Sequence, residues 1–245
     1  MSDQLKPAGR TMEVWYASLD VLPACHSVFT SLLSLDEAER SNRFIFEIDR
    51  RRFIAARGIL RSILGRYCNV QPESIEFAYG KQRKPFLPSS SLFFNISHSA
   101  NTGLIAVTRI GEIGIDLEYV DPGFELSDII RHYFAPGEID VLSELSGSGH
   151  RERFYDYWTR KEAYLKARGI GLIDDLPGID SSRHLARQDD WFHLDVDGAS
   201  DRRVLMRDIL LPGEFRAALA VVHEANCELE SPQCRVQQWT PDVLI

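Results

Sequence analysis

A chain of 245 residues, 44% hydrophobic and 26% charged, has the composition of a globular protein of one large domain or two small ones. Its net charge of −8 argues against general nucleic-acid binding. Apolar runs such as LIAV and AALAVV are strand-sized, far below the roughly 20 residues that cross a bilayer, and no signal-peptide pattern stands at the start; a cytoplasmic protein without membrane attachment is therefore expected.

Cys25, Cys68, Cys227 and Cys234 show neither CxxC spacing nor companion histidines at zinc-finger distances, so they read as reduced thiols.

In chain order the pattern predicts a strand at MEVWYASL, a helix near SLDEAERSNRF and a long arginine-rich helix from about 49 to 67. Between residues 40 and 66 stand eight arginines (Arg40, Arg43, Arg50, Arg51, Arg52, Arg57, Arg61 and Arg66) against Glu47 and Asp49 as the acids. In an acidic protein such a cluster suits a phosphorylated small ligand or an acidic partner, although a solvated helix face accounts for most of it. Arg52 and Arg57 are better placed, because they lie within RRRFIAARGILRSILG, whose apolar residues require a packed helix. A strand at IEFAYG, a loop KQRKPFLPSS and three apolar runs (LFFNIS, GLIAVT, IGIDLEYV) follow, reading as an antiparallel sheet. A second helical block covers about 126 to 145 and 151 to 168, broken at SGSG, with strands after it at WFHLDV, RRVLMRDIL and RAALAVVH.

Helix followed by strands thus occurs twice. FIAARGIL at 53 to 60 resembles YLKARGIG at 164 to 171, and GLIAVT at 103 to 108 resembles AALAVV at 217 to 222. The expected fold is α+β, built of two similar halves related by a pseudo-twofold duplication. Each half is a small antiparallel sheet packed with a long helix, and the active site lies in the cleft between them. The halves would run from 1 to 111 and from 112 to 225, with 226 to 245 as a tail of little periodicity.

Chemistry concentrates in three stretches. In RFYDYWTRKEAYLKARG, Phe154, Tyr157, Trp158, Tyr164 and Leu165 share one arc of the helical wheel, with Lys161 in its middle and Glu162 and Lys166 one turn apart at its edge. Taken alone, the last two are a surface pair worth roughly 0.2 to 0.5 kcal/mol, and Lys161 snorkels outwards. In IGIDLEYV, period two places Asp116 and Glu118 on one face of a strand and Ile115 and Leu117 on the other. Two carboxylates side by side repel by as much as ~4 kcal/mol at an effective dielectric near 20, so a cation should answer them, and hard oxygen ligands suit Mg²⁺. FNISHS ends a strand with Ser97, His98 and Ser99, which suits phosphate binding, proton transfer or an ordinary hydrogen-bonded turn. No GxGxxG, P-loop or GxSxG motif is present.

Taken together and in order, KPFL, FNISHS, IGIDLE and YWTRKEAYLKA resemble the 4′-phosphopantetheinyl transferases of the surfactin-synthetase-activating type, over about residues 12 to 172. The resemblance implies a two-half α+β fold that binds coenzyme A and Mg²⁺, or Mn²⁺, between the halves. It implies transfer of the phosphopantetheine arm from coenzyme A to a serine of an apo acyl or peptidyl carrier protein, with release of adenosine 3′,5′-bisphosphate. Asp116, Glu118 and Glu162 would surround the metal, with Glu162 also the catalytic base. Lys166 would be catalytic and hold coenzyme A phosphates, joined by Ser97, His98 and Lys84, and Arg43, Arg52 and Arg57 would answer the 3′-phosphate. Lys161 would either reach the cleft as a further coenzyme A contact or only snorkel. One departure stands out: the family has glycine before the lysine of its GKP motif, whereas GKQRKPF carries Arg83 there, leaving the role to Lys84 or Lys81. Alternatives from the residues themselves are a Mg²⁺-dependent nucleotide or coenzyme A phosphohydrolase and a non-catalytic carrier-binding scaffold. A monomer is expected, with the carrier docking on 119 to 135 through Phe124, Ile129, Ile130, Tyr133 and Phe134.

Overall fold

The computed structural model describes residues 11–171, 176–184, 190–194, 202–224 and 231–241. β1 (Thr11–Ser18) leads through α1 (Pro23–Leu32) and α2 (Leu35–Ser41) into α3 (Glu47–Cys68). Two-residue strands β2 (Ala78–Tyr79) and β3 (Pro85–Phe86) pair with each other before β4 (Phe93–Ser99), β5 (Thr102–Thr108) and β6 (Glu112–Tyr119). Next come α4 (Ser127–Tyr133), α5 (Pro136–Ser143) and α6 (Gly147–Arg168), and then β7 (Phe192–Leu194), β8 (Arg202–Asp208), β9 (Phe215–Glu224) and β10 (Gln233–Gln238). Among the described residues no helix is long and apolar enough to cross a membrane.

Two four-stranded sheets form, in the orders β10-β1-β5-β4 and β6-β9-β8-β7. The triplets β1-β5-β4 and β6-β9-β8 are antiparallel throughout and correspond strand for strand. Period two sets their packing. Met12 and Val14 of β1, Leu104 and Ala106 of β5, Ile113, Ile115 and Leu117 of β6, and Leu219 and Val221 of β9 meet in one core between the sheets. The intervening residues Trp15, Ile105 and Val107 pack instead on α1 and α3, whereas Ala218, Ala220 and Val222 pack on Ala163, Tyr164 and Ala167 of α6. The result is helix, sheet, sheet, helix, which is the expected α+β duplication.

The duplication also corrects its own sequence signature. Both long helices have 22 residues and stop on a left-handed residue, Asn69 or Gly169, so they correspond at an offset of 100. The match of FIAARGIL at 53 with YLKARGIG at 164 is therefore slipped by eleven residues. Eleven residues are close to three helical turns, so the slip keeps the apolar face aligned and looks convincing in sequence.

Several elements differ from expectation. α1 was not foreseen; its PACHSVFTSL is poor in strong helix formers, and burial of Phe29 fixes it from outside. The block from 126 to 145 is two short helices, the second opening on Pro136, and SGSG opens α6 rather than interrupting it. Within the expected tail, β10 pairs in parallel with β1, and Trp239 beyond it is buried against Phe29.

Gly114 brings β6 against α6. A Cβ there would lie 2.0 Å from the Ala163 carbonyl oxygen and 2.3 Å from the Ala167 nitrogen, so only glycine permits this approach. Gly114→Ala is expected to cost about 3 kcal/mol or more, because both clashing groups are backbone. Denaturant unfolding measures it, and a loss below 1 kcal/mol would contradict the tight contact.

Candidate active site

β4 and β6 lie side by side where the halves meet, and alternate β4 side chains serve as the hydrogen-bonding partners of β6. Asn95 Oδ1 accepts from the Ile115 N–H at 2.9 Å and Ser99 Oγ from the Tyr119 N–H at 3.0 Å. Between them Ser97 Oγ donates to Asp116 Oδ1 at 3.0 Å, and Ser99 Oγ donates to Glu118 Oε2 at 3.0 Å. Gly114, Asp116 and Glu118 share the face of β6 that looks onto α6, as their spacing predicts.

From α6, Lys166 Nζ reaches Asp116 Oδ1 at 2.5 Å and Ser97 Oγ at 2.9 Å. Asp116 is buried, and among the described residues its Oδ2 has no hydrogen-bond partner. Burial, and then the charge of Asp116, push the Glu118 carboxyl up to about 7, even though Ser99 and Lys166 oppose the rise. Burial and Asp116 raise Glu162 in the same way, with Lys166 opposing. At the end of β4, His98 is held below the ordinary imidazole value by the protein packed around it and then by the charges of Lys166 and Arg40. The sequence residues Ser97, His98, Asp116, Glu118, Glu162 and Lys166 thus come together. Among the described residues no three His, Cys, Asp or Glu side chains stand close enough to hold a metal ion by themselves.

A pocket of about 310 Å³ opens beside this cluster, lined by Gln82, Lys84, Asn95, Glu162, Lys166 and Gly169 among others. A second cleft, of about 670 Å³, is lined by Arg40, Arg43, Phe44, Phe53, Tyr79 and Arg83 with Gln82 at its edge. A third pocket, of about 340 Å³, borders Glu118 and includes Phe124, Ile129, Tyr155 and Trp158.

Other expected site residues are placed differently. Lys161 is fully buried, and its Nζ pairs with Glu138 at 2.8 Å and donates to the carbonyls of Leu176 and Ile179. It is an internal charge of the second half, neither snorkelling nor facing the cleft. Arg57 is likewise committed: it and Arg61 both bind Glu37 of α2. Arg52 forms a two-pronged pair with Asp20, at 2.8 and 3.0 Å. Lys84 does line the first pocket, yet its ammonium is engaged by Glu112 Oε2 and the Ile113 carbonyl, both at 3.0 Å, and the Ala167 carbonyl at 3.3 Å. It ties the loop before β3 to the second half. The side chain of Lys81 lies outside those described. Arg43 lines the second cleft, 4.0 Å from Glu39. Phe134, expected on a docking surface, is buried in a stack on Phe154.

In the sequence Arg40 is one of eight arginines with nothing to single it out. Its neighbourhood in the chain carried no motif, and only the packing of α2 on α3 turns it into the cleft beside His98.

Comparison with known proteins agrees with this arrangement. Residues 112–220 match the family model of the 4′-phosphopantetheinyl transferase superfamily, and residues 22–109 that of the 4′-phosphopantetheinyl transferase, N-terminal, family. The 4′-phosphopantetheinyl transferase HetI of Nostoc sp. is 44% identical over 165 residues, covering 66% of this chain and 70% of that protein. A putative 4′-phosphopantetheinyl transferase of Synechocystis sp. is 35% identical over 180 residues, covering 71% and 72%. The 4′-phosphopantetheinyl transferase Sfp of Bacillus subtilis is 28% identical over 198 residues, covering 80% and 84%. Two family models in tandem across the two halves, with relatives matched over most of their length, mean that the chain belongs to the 4′-phosphopantetheinyl transferase superfamily.

Proposed function

We propose that this transferase moves the 4′-phosphopantetheine arm of coenzyme A onto a serine of an apo acyl or peptidyl carrier protein, as a divalent-cation-dependent monomer of the surfactin-synthetase-activating type. The observation that carries this reading is the meeting of Asp116, Glu118, Glu162 and Lys166 at the seam of two sheets. The halves divide near residue 111, between β5 and β6, so the first supplies Ser97 and His98 and the second the acids.

The donor set fits Mg²⁺. Among the described residues one buried oxygen of Asp116 has no hydrogen-bond partner, and burial together with the charge of Asp116 raises Glu118 and Glu162, so the cluster would gain from added positive charge. A complete protein cage is not needed, because Mg²⁺ keeps several waters and takes substrate phosphate oxygens beside one or two carboxylates. When bound, the ion would supply charge neutralisation at the pyrophosphate.

This chain's residues do the remainder. Lys166, Ser97 and His98 bind and orient the pyrophosphate. Glu162 accepts the proton of the incoming serine hydroxyl, directly or through water. The serine oxygen forms a bond to the phosphorus that carries the pantetheine, and the bond from that phosphorus to the departing adenosine 3′,5′-bisphosphate breaks. The groove of Phe124, Ile129, Tyr155 and Trp158 beside Glu118 would receive the apolar part of the carrier surface.

Incubation with coenzyme A, Mg²⁺ and a panel of apo carrier proteins tests this. A carrier should gain the mass of one phosphopantetheine, whereas consumption of coenzyme A with no gain on any carrier would favour a phosphohydrolase. Apparent Mg²⁺ affinity should also rise between about pH 6 and 8 as Glu118 loses its proton, because cation and proton compete for one carboxylate. A flat dependence would count against Glu118 as a ligand.

A further inference from the structure

The loop from Gly80 to Lys84 is closed tightly. Arg83 N–H donates to the Gly80 carbonyl at 3.1 Å, and Gly80 N–H donates to the Lys84 carbonyl at 3.0 Å. Both ends are anchored, by the β2–β3 pairing and by the three bonds of the Lys84 ammonium to the second half. Within it Gln82 and Arg83 are successive left-handed residues, each with φ of 59°, a conformation that suits glycine and strains other side chains. Strain of this kind persists where surrounding structure enforces it, and it clusters at ligand sites.

The enforced backbone sends the two side chains to different places. Gln82 lies against Gly171, where an added Cβ would stand 3.1 Å from its Cδ, and it borders both the seam pocket and the arginine cleft. Arg83, exposed like Gln82, lines the arginine cleft and not the seam pocket.

The balance of charge in that cleft is informative. Glu37 is answered by Arg57 and Arg61 and Glu39 by Arg43 at 4.0 Å, while Asp36 keeps its charge and accepts a hydrogen bond from the Ser34 hydroxyl at 2.6 Å. Arg40 sits over the Phe53 ring at 5.2 Å, and among the described residues neither Arg40 nor Arg83 pairs with a carboxylate. Arg43 and Arg57 line the cleft as well, but each has its carboxylate; Arg40 and Arg83 face a space large enough for a nucleoside without one, and Arg83 is held there by a strained backbone.

Resting on the coenzyme A reading above, we propose that Arg83 is a specificity-determining residue that reads the 3′-phosphate of coenzyme A. With the pyrophosphate at Lys166 and the carboxylates, the ligand's other phosphate falls one pocket away, past Gln82, where Arg83 and Arg40 stand. The residue that replaces the glycine of the GKP motif thereby takes over the task expected of Arg52 and Arg57, which are spent on Asp20 and Glu37.

Arg83→Gly tests this, because glycine accepts the left-handed backbone and removes the guanidinium. Two preferences are measured: kcat/KM for coenzyme A over 3′-dephospho-coenzyme A, and calorimetric affinity for adenosine 3′,5′-bisphosphate over adenosine 5′-monophosphate. Both should fall roughly tenfold or more, the loss typical of one charge-assisted hydrogen-bonded contact, with an unfolding midpoint equal to or above that of the parent. Arg83→Lys should restore part of the preference. Unchanged preferences in Arg83→Gly, or a parent protein indifferent to the 3′-phosphate, would overturn the proposal. A parent that prefers adenosine 3′,5′-bisphosphate yet modifies no carrier would defeat the transfer reading and leave that of Arg83 standing, since the calorimetric comparison needs no turnover.

Discussion

Glu162→Gln is expected to lower turnover by about 10²- to 10⁴-fold while leaving the affinity for adenosine 3′,5′-bisphosphate within about twofold. The side chain is half-buried, feels the charge of Asp116 on the neighbouring strand of its own half, and holds no hydrogen bond among the described residues, which leaves its carboxylate free for a proton. Glutamine keeps the volume and removes the basicity, so a structural role would survive the change and a proton-accepting role would not. A pH profile separates them further. A general base works ionised, and burial raises Glu162, so activity should fall as pH drops through a value above the ordinary glutamate range of about 4.3. That acidic limb should flatten in the variant. Full turnover in Glu162→Gln would remove the residue from the mechanism.

Lys161→Met should destabilise the protein by about 3 to 5 kcal/mol, because it strands the Glu138 carboxylate in the interior. Glu138 is fully buried at the start of α5, where it also accepts from the Ala135 N–H at 3.0 Å and from the Ser181 N–H and hydroxyl at 3.1 and 2.9 Å. Burial pulls the Lys161 ammonium towards neutrality, and the charge of Glu138 opposes this. Adding Glu138→Leu to Lys161→Met should recover much of the lost stability, since two uncharged side chains leave no isolated ion. Denaturant midpoints report the pair. Coenzyme A binding should persist in the folded double variant; a stable single variant with weakened coenzyme A binding would restore Lys161 to the ligand site.

Contrast between Lys161 and Lys166 explains what could be read from the chain. Glu162 and Lys166 are a turn apart on a flank that local periodicity locates, and Asp116 and Glu118 alternate with Ile115 and Leu117, so each pair follows from neighbours a few residues away. The fate of Lys161 depends on Glu138, far along the chain in another helix, and that of Arg57 on Glu37, again in another helix. A helical wheel has no term for such partners, and it treats a charge at the centre of an apolar arc as an anomaly rather than half of an interior pair. The pair of Arg52 with Asp20 is likewise set from outside its own helix. The sheets were legible because their alternation is local; α1 was not, because only the packing of Phe29 makes a helix of that segment.

β10 has a consequence for the order in which the molecule can be assembled. All strands of the second sheet lie between residues 112 and 224, so it can close once that stretch has left the ribosome. The first sheet cannot, because one side of β1 meets β5 and the other waits for Gln233–Gln238, with Trp239 N–H donating to the Tyr16 carbonyl at 2.9 Å. Until then β1 presents a bare edge of unpaired amides, open to adventitious strand pairing. The half made first is therefore finished last, and a cut just before residue 231 would damage the part of the protein most distant from it in sequence.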